Sequence, residues 1–472
     1  QSTSLTLVII ISLIFAILGL YYSKKFQGIN NYLTANRNIG LFSLTTSLVA
    51  SALGAWILFG PAAASTWGGL GAVIGYSLGT AFPMIFLIYL GKKIRNEFPR
   101  GSSLIEFMRK KFGKSLFKLI LLMTIFYMFI FLCAEVTAVA VLINYISGTE
   151  LWITALIVLF ATLSYTLYGG LRASIFTDNI QMIVIGVLLV VSVSYIISFT
   201  ENEFSFAFIE EKNPQLLSSS YIPNYTAGLT FFIAVAATNL FHQGNWQRVY
   251  AAKDYQTLKK SLIISFFIIV PIVFFMGFAG MVSFSINPGN RPDLGFFSLL
   301  LKERSELLSL IIVILGLALT ISTVDTLINA ISSLFVVDGK ATFNLNKKTD
   351  YLKLSKYFII FLSLIAFIIA SKGFDVLYLF LLADLFCCAF VFTVFYSFYN
   401  KGINEKTAYI SIVVGLLGGF LMFPFPDFSK SLLVGILIPK EMFAPFVVQS
   451  LLFLSFIVAT FLPVIILKIK KS

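Results

Sequence analysis

The chain has 472 residues, of which 58% are hydrophobic and only 12% are charged, with a mean hydropathy of +0.94. Soluble globular domains contain about 25% charged residues, so this composition excludes a soluble protein and indicates a polytopic membrane protein. The formal charge of +13 does not indicate nucleic-acid binding, because the basic residues are distributed over short loops instead of forming one patch.

A helix that crosses the hydrocarbon core needs about 20 mostly apolar residues. Thirteen segments of the sequence meet this requirement, at residues 4–22, 41–66, 69–90, 117–147, 151–168, 177–199, 226–246, 260–284, 307–335, 354–371, 374–398, 407–424 and 443–467. The connections between them are too short for a soluble domain. We therefore predict one transmembrane domain over residues 1–472.

Basic residues are concentrated in alternate loops between these spans. With the N-terminus outside, 27 of the 34 Lys and Arg residues fall on the cytoplasmic side, which follows the positive-inside rule. We predict a multi-pass protein of the plasma (inner) membrane with an external N-terminus and a cytoplasmic C-terminus. The first apolar run is predicted to be a retained helix, because no small-residue cleavage site follows it.

The second predicted span contains residues that interrupt a helix. Gly54, Gly60 and Pro61 lie within the run SLVASALGAWILFGPAAAST. Glycine and proline release backbone carbonyls from the helical hydrogen-bond ladder, and broken backbone at membrane depth is tolerated where it lines a cavity. In secondary transporters, unwound helices of this kind coordinate Na⁺ near the middle of the bilayer. A kinked packing helix is the alternative for this segment taken alone.

The ninth predicted span carries a polar face. Ser322, Asp325, Thr326 and Asn329 recur at spacings of three and four residues, so they share one side of a helix, and Thr323 adds a hydroxyl. A carboxylate at membrane depth is unfavourable unless it meets a cavity, a partner or an ion. Hydroxyl, carbonyl and carboxylate oxygens can replace the hydration shell of a monovalent cation. This face therefore predicts an ion or proton site, with a structural hydrogen bond from Asp325 to another helix as the alternative.

Other ionisable residues also fall in or beside the predicted spans. Glu135 suits a buried hydrogen bond, a proton site or a substrate contact, and Asp384 suits a polar substrate or a helix partner. Asp178 follows a Gly-Gly turn, where helix capping and ion binding are both open. His242, the only histidine, is predicted to have a structural or gating role. No nucleophile with its base and no phosphate-binding loop is evident in the sequence, so we do not expect an enzyme.

Four segments, in order, resemble signature motifs of the sodium:solute symporter family. They are FQGINNYLTANRNIG, YGGLRASIFTDNIQ, NWQRVYAAKD and STVDTLINAISSLFVVD, and the resemblance covers roughly residues 5–400. FHQGNWQR and LFLLADL look closer to urea-transporter-like members. The resemblance implies an all-α integral membrane fold with 13 transmembrane helices. In this LeuT-type fold a five-plus-five inverted repeat (39–400) follows an extra N-terminal helix and loop (1–38) and precedes two extra C-terminal helices (401–472).

The resemblance also implies where sodium binds, between the broken second span and the polar ninth span. The implied ligands of the principal Na⁺ are the backbone carbonyls of Ala50, Leu53 and Leu319 and the hydroxyls of Ser322 and Thr323. In members with a second sodium, the matching residues are Asp178, Ser322, Asp325 and Thr326. Asp325 departs from the serine of such members, so its carboxylate is a candidate for a second cation or for a proton.

The substrate pocket implied by the resemblance lies between five core helices. Its candidate residues are Ser51, Trp56, Glu135, Asn239, His242 and Asp384. We expect sodium-coupled symport of a small polar, nitrogen-containing solute such as urea or an amino acid, by alternating access. The partners are then the solute, sodium ions and the lipid bilayer, with no nucleic acid and no evident protein partner. Two alternatives stay open: a proton-coupled symporter that uses Asp325 or Asp178, and a transporter-like receptor that senses the solute.

Overall fold

The computed structural model describes residues 2–302, 305–343, 350–400 and 402–469, and this part of the chain is mainly helical. Ten helical segments within it are long and apolar enough to cross a membrane. The α-helices are α1 (Ser2–Lys25), α2 (Ile29–Thr34), α3 (Leu41–Ala52), α4 (Gly60–Glu97), α5 (Leu104–Lys111), α6 (Lys114–Ser147), α7 (Leu151–Thr200), α8 (Phe206–Lys212), α9 (Ile222–Phe241), α10 (Gln243–Ala251), α11 (Tyr255–Ile286), α12 (Gly295–Leu300), α13 (Glu306–Leu334), α14 (Lys340–Phe343), α15 (Tyr351–Ala370), α16 (Val376–Ser397), α17 (Glu405–Met422), α18 (Pro445–Gln449) and α19 (Leu451–Ile469).

Two of these helices each join two predicted spans. At 1.5 Å per residue, straight helices of the lengths of α4 and α7 would measure about 57 Å and about 75 Å, against a hydrocarbon core of about 30 Å. Each is interrupted by one glycine in the left-handed region, Gly69 with φ 55° and Gly170 with φ 55°. Only glycine adopts this conformation without strain. The sequence predicts loops at these positions, and single-residue kinks replace them; the total of 13 spans stays a prediction.

The predicted interruption of the second span is confirmed. Helix α3 ends at Ala52, residues Ala55–Leu58 form a single 3₁₀ turn, and α4 begins at Gly60 with Pro61 in its first turn. Proline is favourable in a first turn, because the amide that it lacks would have no helical acceptor there.

A second interruption was not predicted. The sequence analysis treats residues 226–246 as one span, but α9 ends at Phe241 and α10 begins at Gln243. His242 separates them with an extended backbone (φ −61°, ψ 107°), and its side-chain Nδ1 accepts the Gly244 amide at 3.1 Å. The imidazole therefore caps α10 and compensates for one of the amides that the interruption exposes.

Helix α13 lies at the centre of the molecule. Every residue from Leu315 to Leu334 is buried, which is typical of a helix surrounded by others on all sides. It contacts α3, α6 and α7, while α4 packs against α9 and α11, and α16 packs against α6 and α9. The polar face of α13 is thus turned towards other helices.

The C-terminal region differs from the sequence prediction at one boundary. The last span is predicted at 443–467, but Pro445–Gln449 form a separate short helix and α19 begins at Leu451. Apolar composition does not distinguish a short loop helix from the start of a span. Helices α17 and α19 pack against each other beside α16, at the edge of the core.

Candidate sodium and solute sites

The break between α3 and α4 is held open by Glu135 of α6. Its fully buried carboxylate accepts hydrogen bonds from the backbone amides of Ala55 at 2.9 Å and Trp56 at 3.4 Å. In a continuous helix the Ile57 amide would bond to the Leu53 carbonyl. Here it donates to the Gly54 carbonyl at 3.3 Å instead. The Leu53 carbonyl thereby loses its helical donor, and its oxygen is a candidate cation ligand.

The hydroxyl groups of α13 lie beside this break. A methyl group placed on Gly54 would lie 2.8 Å from Thr323 Oγ1. Thr323 donates its hydroxyl hydrogen to the Leu319 carbonyl at 3.2 Å, and Ser322 donates its own to Asp178 Oδ1 at 2.6 Å. Because both hydrogens are engaged, the oxygen lone pairs are what these side chains can offer to a cation. The five predicted principal ligands are all fully buried, and they belong to α3 with its C-terminal cap and to α13, two helices that contact each other: Ala50, Leu53, Leu319, Ser322 and Thr323.

Asp178 connects four helices. Its carboxylate, in the interior of α7, accepts hydrogen bonds from Ser47 of α3 at 2.6 Å and Ser322 of α13 at 2.6 Å. Arg248 of α10 forms an ion pair with it at 2.8 Å, and neither charged side chain is exposed. Asp178 therefore bonds to three other helices from within α7. It does not lie at a helix end, where the capping role that the sequence leaves open would place it.

Arg248 is a site residue that the sequence analysis missed. Its guanidinium also donates to Ser47 Oγ at 2.7 Å, to the Gly244 carbonyl at 3.0 Å and to Thr326 Oγ1 at 3.0 Å. It belongs to the quoted motif NWQRVYAAKD, but its charge is counted there with those of a cytoplasmic loop. The fixed positive charge of Arg248 therefore lies beside Asp178 and Thr326, where the family resemblance implies a second cation.

Asp325 is surrounded by hydroxyl groups of α7. Its carboxylate accepts hydrogen bonds from Tyr165 at 2.6 Å, Ser174 at 2.7 Å and Thr177 at 3.1 Å, and Thr326 Oγ1 lies 3.4 Å from its Oδ1. This is the hydrogen bonding to a neighbouring helix that the sequence analysis gives as the structural alternative. The four residues of the predicted second site are therefore neighbours. The carboxylate of Asp178 is already paired with Arg248, and that of Asp325 already accepts hydrogen bonds from hydroxyl groups of α7.

Five of the six predicted substrate residues line one small cavity of about 20 Å³, which has room for about one water molecule. Its walls are formed by Ser51, Ala52, Trp56, Tyr76, Phe131, Val235, Thr238, Asn239, His242, Phe380 and Asp384. Glu135 is not among them, because its carboxylate is turned to the helix break. The cavity lies at both interruptions, beside the end of α3 and at His242 between α9 and α10.

The polar groups of the cavity are mostly acceptors. Asn239 uses its amide nitrogen on the Val235 carbonyl at 3.0 Å, and Ser51 donates its hydroxyl hydrogen to the Ser47 carbonyl at 2.7 Å. Their side-chain oxygens remain as acceptors. His242 Nδ1 accepts a backbone amide, so Nε2 carries the hydrogen in the neutral ring, and this buried Nε2 has no hydrogen-bond partner among the described residues. The cavity thus offers several acceptors, and the Nε2–H group of His242 is a donor that has no partner among the described residues.

Stacked aromatic rings lead from the cavity to the surface. The rings of Trp56 and Tyr76 stack with centroids 5.5 Å apart, Tyr76 stacks on Phe231 at 4.7 Å, and Trp67 contacts Phe231 at 5.8 Å. Trp67 is 38% exposed at the end of this series, where the Tyr221 hydroxyl donates to its carbonyl at 3.0 Å. The sequence analysis did not identify Tyr76, because one tyrosine in an apolar span is indistinguishable from core packing.

The α10 segment is tied to the region around the end of α4. Gln243 donates to the Ser102 carbonyl at 2.9 Å, and Arg95 donates to the Val249 carbonyl at 2.6 Å. Each bond joins α10 to a residue that is distant from it in the sequence, and the bonded groups are buried or partly buried. They hold α10 against the segment around the end of α4.

Comparisons with known proteins extend these observations. A spermidine transporter of Candida albicans is 24% identical over 408 residues, covering 84% of this chain and 76% of that protein. The sodium/glucose cotransporter 4 of Mus musculus is 23% identical over 455 residues, with 83% of this chain and 64% of that protein covered. The sodium/proline symporter of Haemophilus influenzae is 30% identical over 213 residues, or 42% of this chain and 40% of that protein.

Solved structures share the fold. A Na⁺-coupled sialic acid symporter in a substrate-bound outward-open state matches with a TM-score of 0.75 at 17% identity, over 99% of this chain and 97% of that one. The amino-acid-bound transporter MhsT matches with a TM-score of 0.53 at 15% identity, over 91% and 98%. The fold is therefore that of LeuT-type transporters. The model of the sodium:solute symporter family matches residues 32–415, and the chain accordingly belongs to that family.

Proposed function

We propose that the protein is a sodium-coupled symporter that imports a small polar, nitrogen-containing organic solute by alternating access. The observation that carries this proposal is the approach of the α13 hydroxyls to the break after α3, where Thr323 Oγ1 lies 2.8 Å from a methyl placed on Gly54. Family membership and the sodium-coupled structural relative support sodium as the coupling ion.

The principal sodium site consists of three backbone carbonyls and two hydroxyls in this proposal. The carbonyls of Ala50 and Leu53 come from the end of α3, and Leu319 adds a third from α13. Ser322 and Thr323 provide hydroxyl oxygens whose hydrogens are already engaged. Hard monovalent cations favour such a set of oxygen ligands.

We propose a single coupled sodium ion. The guanidinium of Arg248 donates to Asp178 and Thr326, two of the four residues of the second site implied by the resemblance. A tethered cation supplies the charge that a second Na⁺ would otherwise bring, and like charges repel within a few ångströms. Uptake should therefore depend on sodium with a Hill coefficient of about 1, and a coefficient of about 2 would contradict the single-ion proposal.

The cavity residues bind the solute in this proposal. Acceptor oxygens on Asp384, Asn239 and Ser51 favour a molecule with several N–H donors, and the cavity volume of about 20 Å³ favours a small one. The Candida albicans relative is named a spermidine transporter, and spermidine is also nitrogen-rich.

Sodium and solute sites share the interrupted helices, which supports coupling between them. Sodium bound between α3 and α13 stabilises the interrupted end of α3, whose residues Ser51 and Ala52 also line the solute cavity. Each Na⁺ that moves inward across 100 mV provides about 2.3 kcal/mol, equivalent to about fifty-fold accumulation of a neutral solute. In this proposal, the change to the inward-open state rearranges the contacts that hold α10, such as the bond from Gln243 to the Ser102 carbonyl.

We also propose the complete architecture and orientation. The first repeat begins with the interrupted α3 and the second with the interrupted α9, which supports a five-plus-five inverted repeat. One further helix, α1, precedes the core, and α17 and α19 follow it, for 13 spans. The positive-inside distribution favours a plasma-membrane protein with an external N-terminus and a cytoplasmic C-terminus.

Uptake into proteoliposomes tests the sodium assignment. We expect solute accumulation with an inward Na⁺ gradient, and Thr323→Val should raise the half-saturating sodium concentration at least tenfold. The matched control is Thr154→Val, since the buried Thr154 hydroxyl has no hydrogen-bond partner among the described residues. Uptake driven by a pH gradient alone would instead favour the proton-coupled alternative, and saturable solute binding without flux would favour a receptor.

A further inference from the structure

Asp384 is the least compensated of the buried carboxylates around the site. Its side chain is 4% exposed, and its one hydrogen bond among the described residues comes from the Thr238 hydroxyl at 2.5 Å. No Lys or Arg of the described residues lies within ion-pair distance of it; the buried ion pair in this part of the chain is that of Asp178. A buried carboxylate needs a proton, a counter-charge or several donors to be stable.

The other three buried carboxylates around the site each have more compensation. Glu135 accepts two backbone amides, Asp325 accepts hydroxyl groups from α7, and Asp178 has both an arginine and two hydroxyls. Asp384 differs from them because it borders the cavity. A partner for Asp384 can therefore approach from the cavity, which in this state has room for about one water molecule.

The rest of the cavity wall is suited to a positive charge. The rings of Trp56, Tyr76 and Phe131 border the same space, and the faces of aromatic rings attract cations. The side-chain oxygens of Ser51 and Asn239 are available as acceptors. No Lys or Arg lines the cavity, so a carboxylate or phosphate on a solute would find no charged partner there.

We propose that the transported solute is a small organic cation, an ammonium or guanidinium compound whose positive nitrogen group pairs with the Asp384 carboxylate. This inference rests on the proposed sodium-coupled symport. A monovalent solute and one sodium ion together then move two positive charges inward in each cycle. The Asp384 carboxylate is the feature that distinguishes cations from neutral solutes of the same shape.

Guanidinium and urea provide the sharpest test, because they have nearly the same shape and differ in charge. Sodium-driven uptake into proteoliposomes is measured for guanidinium, methylammonium and spermidine and for the neutral solutes urea and acetamide, at millimolar concentrations. We expect at least one cation to be transported at least tenfold faster than any neutral solute. For a monovalent cation, about two charges should enter per solute, measured as current against tracer uptake.

The variant Asp384→Asn keeps the shape of the side chain and removes its charge. It should abolish cation uptake while retaining the stabilisation of the protein against heat by sodium, which shows that the variant is folded and its ion site intact. The matched control is Asp375→Asn, which changes an aspartate before the first turn of the same helix and outside the cavity; its cation uptake should be unchanged.

The outcomes separate this inference from the proposal on which it rests. Sodium-driven uptake of neutral solutes only, or cation uptake that survives Asp384→Asn, would overturn the cation assignment and leave sodium symport intact. If no solute is moved by a sodium gradient and sodium does not stabilise the protein, the proposed function fails and the substrate class falls with it. A ratio of one charge per transported solute would also overturn the cation assignment.

Discussion

Gly54 provides the most direct test of the geometry at the helix break. A methyl group at this position would lie 2.8 Å from Thr323 Oγ1 and would clash with Glu135 Oε1. The backbone of Gly54 (φ −84°, ψ −178°) is open to alanine, so the expected effect is steric alone. Overpacking of a filled site costs about 1–3 kcal/mol. Because the displaced groups are a proposed sodium ligand and the carboxylate that holds the break, Gly54→Ala should weaken apparent sodium affinity about 5- to 150-fold.

The assay is the sodium dependence of solute uptake in proteoliposomes, with sodium-induced thermal stabilisation as a second measurement. Gly186→Ala is the matched control, because a methyl group on Gly186 of α7 has no heavy atom within 4 Å. Alanine is favoured over glycine inside a helix, so this variant should be neutral or slightly stabilised. Equal half-saturating sodium concentrations for Gly54→Ala and Gly186→Ala would refute the proposed approach of α13 to the break.

Three further predictions concern the acidic residues. Asp178→Asn leaves Arg248 buried without its counter-charge, so it should reduce the free energy of unfolding by about 3–5 kcal/mol, and the double variant with Arg248→Gln should recover part of this loss in thermal melts. Asp325→Asn replaces a carboxyl group that accepts several hydrogen bonds and should reduce stability by about 1–3 kcal/mol while uptake remains sodium-dependent; complete loss of uptake in a stable variant would instead point to a proton role. In the loop before α11, hydrogen bonds from the amide and hydroxyl of Thr257 lower the pKa of Asp254 from its usual 3.8, so this stabilisation is present at neutral pH and disappears as the pH falls through the lowered pKa. The melting temperature of Asp254→Ala should accordingly be below that of the unchanged protein at pH 7 and approach it below pH 3.8, and a constant difference would contradict the assignment.

The sequence analysis succeeded where a local pattern has one structural meaning. Gly54, Gly60 and Pro61 indicate an interrupted helix, because glycine and proline are both unfavourable inside a helix. It failed at His242, where the interruption depends on a side chain that caps α10. An imidazole has no strong preference for a cap position by itself, so the sequence gives no signal for the bond from the Gly244 amide to His242 Nδ1.

The sequence analysis was also only partly successful in locating the buried charges. The sequence identified Asp178 and Asp325 as unusual, because any carboxylate in an apolar span requires compensation. It assigned the charge of Arg248 to a loop, although this side chain is fully buried and bonds to Asp178. For Glu135 it left a buried hydrogen bond and a place in the substrate pocket both open, and the carboxylate accepts backbone amides at the helix break.

By itself, the sequence determined a membrane protein with an interrupted helix and a helix with one oxygen-rich face, since hydropathy, helix breakers and spacings of three and four residues are local properties. Only the tertiary structure decided which groups these oxygens meet. Asp178 pairs with a residue 70 positions away and with another 144 positions away. Such contacts depend on how each helix is rotated and packed against the others, and a local sequence pattern does not specify that arrangement.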